Sequence, residues 1–179
     1  MYKDEQVTIR PIAESDLSKL WALIYEEPTP EWKRWDAPYY ELTPVTLEQF
    51  LEDKAYLVDT ERRWVIEADG ELIGTVNYYW EHQPSLWMEI GIVIYDPSFW
   101  NGGVGTKAMR LWINHLFRQY SLVRIGFITW SENNSMIRLG EKLGMTIEAR
   151  IRKCRLHKEK WYDSIRMGIL REEWDALSL

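Results

Sequence analysis

The sequence predicts a mixed α/β (α+β) fold: a mostly antiparallel central sheet, one pair of parallel strands, and helices flanking it. Three observations carry that prediction. From Arg63 the apolar pattern has a period of two on both sides of Asp69-Gly70, which marks a hairpin running back through Leu72 to Trp80. Leu86 to Tyr95 alternates again, with Met88, Ile90, Ile92 and Ile94 on one face and Trp87, Glu89, Gly91 and Val93 on the other. A glycine-rich segment then opens a helix with Val104, Ala108, Trp112, His115 and Leu116 at helical spacing, and Val123 to Trp130 follows as a strand. Strand, helix, strand is the order of a crossover between parallel strands.

The remaining elements follow from local signals. Val7 to Arg10 is a short strand ended by Pro11, after which Ser15 or Asp16 caps a helix bearing Leu17, Leu20, Trp21 and Ile24. Pro28 to Pro44 holds four prolines among aromatic and charged residues, so it is a long ordered loop or a broken helix. Leu47, Phe50 and Leu51 support a short helix starting near Thr46. His82 to Ser85 is a turn. A later helix spans Asn133 to Leu143 and ends at Gly144 as a C-cap, followed by strands near Thr146–Arg152 and Trp161–Ile169.

Composition narrows the function classes. With 179 residues, 46% of them hydrophobic, the chain can bury the core of one domain spanning 1–179. Cys154 is the only cysteine, which excludes an internal disulfide framework or a thiolate metal site and fits a reducing cytoplasm; no metal is expected. Met1 to Arg10 lacks the apolar centre of a signal peptide, and no run approaches the roughly 18 apolar residues of a spanning helix. A soluble cytoplasmic protein without a membrane partner is therefore expected. The net charge of −6 repels phosphate backbones and favours cationic partners, so nucleic acid is not an expected ligand.

Tyr95 to Ala108 reads Tyr-Asp-Pro-Ser-Phe-Trp-Asn-Gly-Gly-Val-Gly-Thr-Lys-Ala. Glycines between a strand end and a helix start let several backbone N–H groups converge on an anion at the positive helix end. The spacing is neither that of a P-loop nor that of a dinucleotide fingerprint, so a different diphosphate is implied.

At these residues the chain resembles the GNAT superfamily of N-acetyltransferases, and specifically its RimJ/RimL-like branch. The superfamily pattern Gln/Arg-x-x-Gly-x-Gly/Ala falls on Trp100, Gly103 and Gly105, with Trp100 in place of the usual Gln or Arg. Ile9-Arg10-Pro11, Glu71-Leu72-Ile73-Gly74-Thr75, Glu89-Ile90-Gly91 and Leu139-Gly140-Glu141-Lys142-Leu143-Gly144-Met145 agree in order and spacing. Trp161-Tyr162-Asp163-Ser164 and Leu170-Arg171-Glu172-Glu173-Trp174 are similar to the branch's ending. The resemblance implies the acyl-CoA N-acyltransferase fold, in which the parallel strands splay and the pantetheine of acetyl-coenzyme A pairs with exposed backbone, here Ile92, Val93 and Ile94. It also implies a pyrophosphate seat on Asn101, Gly102, Gly103, Val104, Gly105 and Thr106, beside Trp100, with Asn133 bonding the coenzyme or simply capping its helix.

Acetyl transfer needs a neutral amine and hence a proton acceptor. Glu89 is the candidate, its alternative being a strand carboxylate paired with an Arg. The family's general-acid Tyr falls on Gly140 and a frequent Ser on Met136, so Ser135 or water is left as the proton donor. His82, His115 and His157 stand apart, and Cys154 reads as a packed small residue, which disfavours an acetyl-cysteine route.

The acceptor side is implied at the segment 28–44, where Trp32, Trp35, Asp36 and Tyr39 suggest a cation pocket, with a lid or a homodimer contact as the other readings. Three functions stay open: acetylation of a small amine, which the aromatic crowding favours, acetylation of a protein N-terminus, and non-catalytic acyl-coenzyme A binding.

Overall fold

Two short strands open the chain because Glu5 takes left-handed backbone (φ +50°) and turns β1 (Tyr2–Asp4) onto β2 (Val7–Pro11) in antiparallel register, Tyr2 opposite Ile9. In the computed structural model, which describes residues 1–177, Asp16 accepts a hydrogen bond from the Ala13 N–H (2.7 Å) and pairs with Arg10 (2.6 Å). The helical path therefore starts with a 3-10 turn, Glu14–Asp16, one turn before the expected cap. It continues as α1 (Leu17–Trp21) and widens into a π-turn over Ala22–Glu26. The proline-rich segment contains one 3-10 turn, Glu31–Arg34. Thr46 caps α2 (Leu47–Glu52) through a reciprocal bond with Gln49, and the short α3 (Lys54–Leu57) follows.

β3 (Arg63–Ala68) and β4 (Glu71–His82) form the expected hairpin, with both Asp69 and Gly70 left-handed (φ +52° and +83°), as a two-residue turn requires. β5 (Trp87–Ile94) precedes α4 (Val104–Gln119), which crosses to β6 (Arg124–Trp130). α5 (Asn134–Lys142) ends in a Schellman motif, the Met145 N–H reaching the Gly140 carbonyl (2.9 Å) and the Gly144 N–H that of Glu141 (3.0 Å). β7 (Thr146–His157) and β8 (Lys160–Leu170) are longer than expected, and α6 (Arg171–Ala176) closes the described chain.

The strand order is β1-β2-β3-β4-β5-β6-β8-β7. β5 and β6 are parallel, and their register covers only Trp87↔Arg124, Met88↔Ile125 and Glu89↔Gly126. Pairing stops short of both strand ends, as a splayed pair requires.

Two units can be distinguished. Met1–Asp36, Glu41–Asn77 and Ile92–Trp112 make the first, and Ala37–Tyr40, Tyr78–Gly91 and Ile113 onward the second. In the first, Ile12, Leu17, Leu20, Trp32, Phe50 and Val65 form a core against Leu72 and Tyr95. Each such large side chain contributes about 1.5–3 kcal/mol on burial. In the second, Ile125, Phe127 and Thr129 of β6 stand opposite Ile169, Met167 and Ile165 of β8. α5 packs on that face so closely that a Cβ at Gly140 would lie 2.9 Å from Met167 Sδ and Phe127 Cζ.

Candidate active site

In the first unit the Tyr95 N–H donates to the Ile73 carbonyl (2.8 Å), and Asp96 caps a 3-10 turn, Pro97–Phe99. Trp100 then donates its indole N–H to the Ile94 carbonyl (3.0 Å) and packs against the core. Asn101 and Gly103 are left-handed (φ +63° and +81°), and glycine meets that demand at Gly103 without a Cβ penalty. A Cβ at Gly102 or Gly103 would meet nothing within 4 Å, so these residues keep an open space in front of the backbone. The Lys107 N–H closes the first turn of α4 onto the Gly103 carbonyl (3.1 Å). The N–H groups of Val104, Gly105 and Thr106 come before that bond and emerge at the positive helix end. Such a donor set, with clear space before it, fits a diphosphate. The Lys107 ammonium is held by Glu5.

Successive strand residues present their N–H and C=O to opposite edges. A Cβ at Gly74 of β4 would fall inside the Val93 carbonyl oxygen, and Tyr95 bonds Ile73, so Val93 and Tyr95 face β4. Ile92 and Ile94 face the other edge. With the Ile94 carbonyl taken by Trp100, the groups left on that edge are the Ile92 N–H and C=O and the Ile94 N–H. Of the three residues expected to pair with pantetheine, Val93 thus turns its polar backbone atoms towards β4.

In the second unit Glu89 is 2% exposed. Its Oε1 accepts the Trp87 indole N–H (2.7 Å), and its Oε2 is buried without a hydrogen-bond partner. No ion pair holds it among the described residues. Burial pushes its pKa up; the Trp87 bond and the Arg166 and Arg124 charges pull it back, while Glu81 adds to the rise. Paired residues share a sheet face, so Glu89, Gly126 and Gly168 lie in a row on one face, and a Cβ at Gly126 would press on Glu89 Oε1 at 2.9 Å. The same face carries Arg124, stacked over Trp87 (4.9 Å) and paired with Glu148, and Arg166, which reaches Glu81 at 3.4 Å.

Asn133 caps α5 by accepting the Met136 N–H (3.1 Å), and Ser135 is exposed on the first helical turn. Gly140 points into the packing against Phe127 and Met167, which explains why no tyrosine stands there.

The aromatic segment divides. Trp32 is buried, edge-to-face on Tyr95 (5.2 Å), while Trp35 and Asp36 are exposed, the Asp36 carbonyl accepting from Lys33 Nζ (2.7 Å). Tyr39 belongs to the second unit, edge-on to Trp130 (6.4 Å) and beneath the Arg155 guanidinium (5.2 Å). The four residues expected to line one cation pocket are thus not gathered in one unit. Arg166 and Glu81 were not anticipated: the period-two run Ser164, Arg166, Gly168 puts three residues on one strand face, but only the register with β6 shows that Glu89 shares it.

Among the described residues, no His, Cys, Asp and Glu group is arranged to hold a metal ion, and no helix is long and apolar enough to cross a membrane. Residues 6–146 match the family model described as Acetyltransferase (GNAT) domain. The uncharacterized N-acetyltransferase YnaD of Bacillus subtilis (strain 168) is 25% identical over 162 residues, covering 81% of this chain and 92% of the relative. The spermidine N(1)-acetyltransferase of Escherichia coli (strain K12) is 29% identical over 126 residues, covering 70% of this chain and 67% of that one. Spermidine N-acetyltransferase from Vibrio cholerae, solved with CoA and spermine, shares the fold with a TM-score of 0.78 at 20% identity, over 96% of this chain and 99% of that one.

Proposed function

The chain belongs to the GNAT acetyltransferase family and is an acetyl-coenzyme A-dependent N-acetyltransferase; from that premise we propose that its acceptor is a small primary amine and that Glu89 takes the amine's proton. One observation carries the reading: a carboxylate shut from solvent, its Oε2 unbonded, stands on the strand that leads to the coenzyme cradle. Desolvation raises the basicity of such a group towards that of the ammonium it must deprotonate. The relatives that act on spermidine support a small amine.

Acetyl-coenzyme A supplies the acetyl group as a thioester, whose C–S bond is exchanged for the C–N bond of the amide. In this reading the amides from Asn101 to Thr106 hold the diphosphate, and Ile92 with the Ile94 N–H offers the strand edge to pantetheine. Asn133, through its side chain, adds a coenzyme contact to its capping role. The thiolate takes its proton from Ser135 or water. Trp100 at the cradle and Trp161 to Ser164 near the end support the RimJ/RimL-like branch within the family.

The test is coenzyme A release over polyamines, aminoglycosides, amino acids and N-terminal peptides, with Glu89→Gln as the control. Turnover of an amine that collapses in the variant, with coenzyme affinity kept, supports the proposal. Equal turnover across pH removes Glu89 as the base.

A further inference from the structure

We propose that the acceptor is an amino carboxylate, an α-amino acid or very short peptide, whose carboxylate Arg166 receives while its amine meets Glu89. This rests on the reading of Glu89 as proton acceptor and narrows the acceptor class at that same site. All the residues concerned lie in the second unit.

Arg166 on β8 stands opposite Ile128 on β6, two residues along from the Gly126↔Gly168 pair beside Glu89. To meet Glu81 on β4 it crosses β6 and β5, a span of roughly 14 Å at three inter-strand steps, shared by two long side chains. Their contact, at 3.4 Å, is longer than the 2.7–2.9 Å usual for charge-assisted bonds, and both side chains are 30% exposed. The pair is therefore loosely held and open to displacement. Arg124 differs: it is stacked on Trp87 and paired with Glu148. The floor beneath has no side chains of its own at Gly126 and Gly168, and the space above them is lined by Glu89 Oε1 and by the Arg124–Glu148 pair.

A zwitterion entering this face exchanges one weak ion pair for three contacts, carboxylate to Arg166 and ammonium to the freed Glu81 and to Glu89. A polyamine satisfies the acids but brings its second ammonium beside Arg166 and Arg124, where like charge opposes it. Further along the same strands Arg155, registered with Tyr162, has no acidic partner among the described residues, and its Nε is buried without a hydrogen bond. Its guanidinium lies over Tyr39 and donates to the Cys154 carbonyl, so it adds a second positive charge to the face.

The test compares L-methionine, L-glutamate and glycyl-glycine with methionine amide and with spermidine, following coenzyme A release. The free acids should exceed the amide in kcat/KM by about tenfold or more. In Arg166→Ala that ratio should fall to about one through the acids' KM, with Arg166→Lys restoring part of it and thermal unfolding checking that the variants are folded. In Arg166→Glu, spermidine should overtake the acids. Equal use of acid and amide by the wild type, or an unchanged ratio in Arg166→Ala, overturns the proposal. Spermidine turnover above that of every acid also overturns it and leaves the acetyltransferase reading intact. Failure to bind coenzyme A would instead sink the reading on which it rests.

Discussion

Gly74→Ala tests whether the β4 backbone fixes the strand edge proposed for the coenzyme. The new Cβ would fall inside the Val93 carbonyl oxygen and 3.1 Å from Ile94 Cα, both backbone atoms that no rotamer change can move. Overpacking costs about 1–3 kcal/mol, and a backbone collision belongs at the upper end. Against this, alanine in a strand regains about 0.5–1 kcal/mol of backbone entropy. The net loss is about 2 kcal/mol, which for a chain of this size lowers Tm by about 4–8 °C. Relief by moving β5 would strain both the Tyr95-to-Ile73 bond and the Trp100 bond to the Ile94 carbonyl. Coenzyme affinity should therefore fall as well, by about tenfold for each 1.4 kcal/mol of misplacement. Thermal unfolding and calorimetric titration with coenzyme A read the two effects. A Tm within about 1 °C of wild type would show that Val93 is not held against Gly74, and the edge argument would fail.

Other substitutions separate binding, chemistry and packing. Gly102→Ala adds a methyl where nothing lies within 4 Å, so Tm should stay within about 1 °C while coenzyme A binds more weakly; unchanged affinity would move the diphosphate elsewhere. Glu89→Gln should lower kcat by about 10²–10⁴-fold. Because the folded pKa of Glu89 is raised, the native state binds its proton more tightly than the unfolded chain, and stability declines as pH rises from the unfolded value through the folded one. The Glu89→Gln change removes that loss, so the variant should gain Tm relative to wild type at about pH 7–8 and not at about pH 4; the opposite sign would mean a lowered pKa. Gly140→Tyr should not supply a proton donor, since its side chain would enter the packing at Met167 and Phe127, and a larger Tm loss than that of Gly74→Ala is expected.

The sequence made the hairpin at Asp69-Gly70, the Thr46 helix start and the crossover helix legible, because each has a local signal whose physics is complete within a few residues. β1 escaped notice because it is three residues long and turns at Glu5 without a glycine. α6 follows β8 with no intervening loop, and the Arg171 guanidinium ties its start to the carbonyls of Phe117, Tyr120 and Leu122, partners some fifty residues away. The site shows the same division. The glycine cradle could be read from spacing, whereas the setting of Glu89 involves the Trp87 indole, the bare Gly126 and the charge of Arg166. No window of sequence contains that set. The aromatic segment shows it most plainly, for Trp32 and Tyr39 are seven positions apart and belong to different units.

The facing glycines of β6 and β8 set which positions are free to drift. A side chain at Gly126 would crowd the Glu89 carboxylate, and one at Gly168 would collide with the Arg124–Glu148 pair. Descendants of this sequence that change acceptor therefore have little scope to do so from the floor. Their variation should fall on the flanking positions, Ile128 and Arg166 first, where a new side chain changes the face without pressing on Glu89.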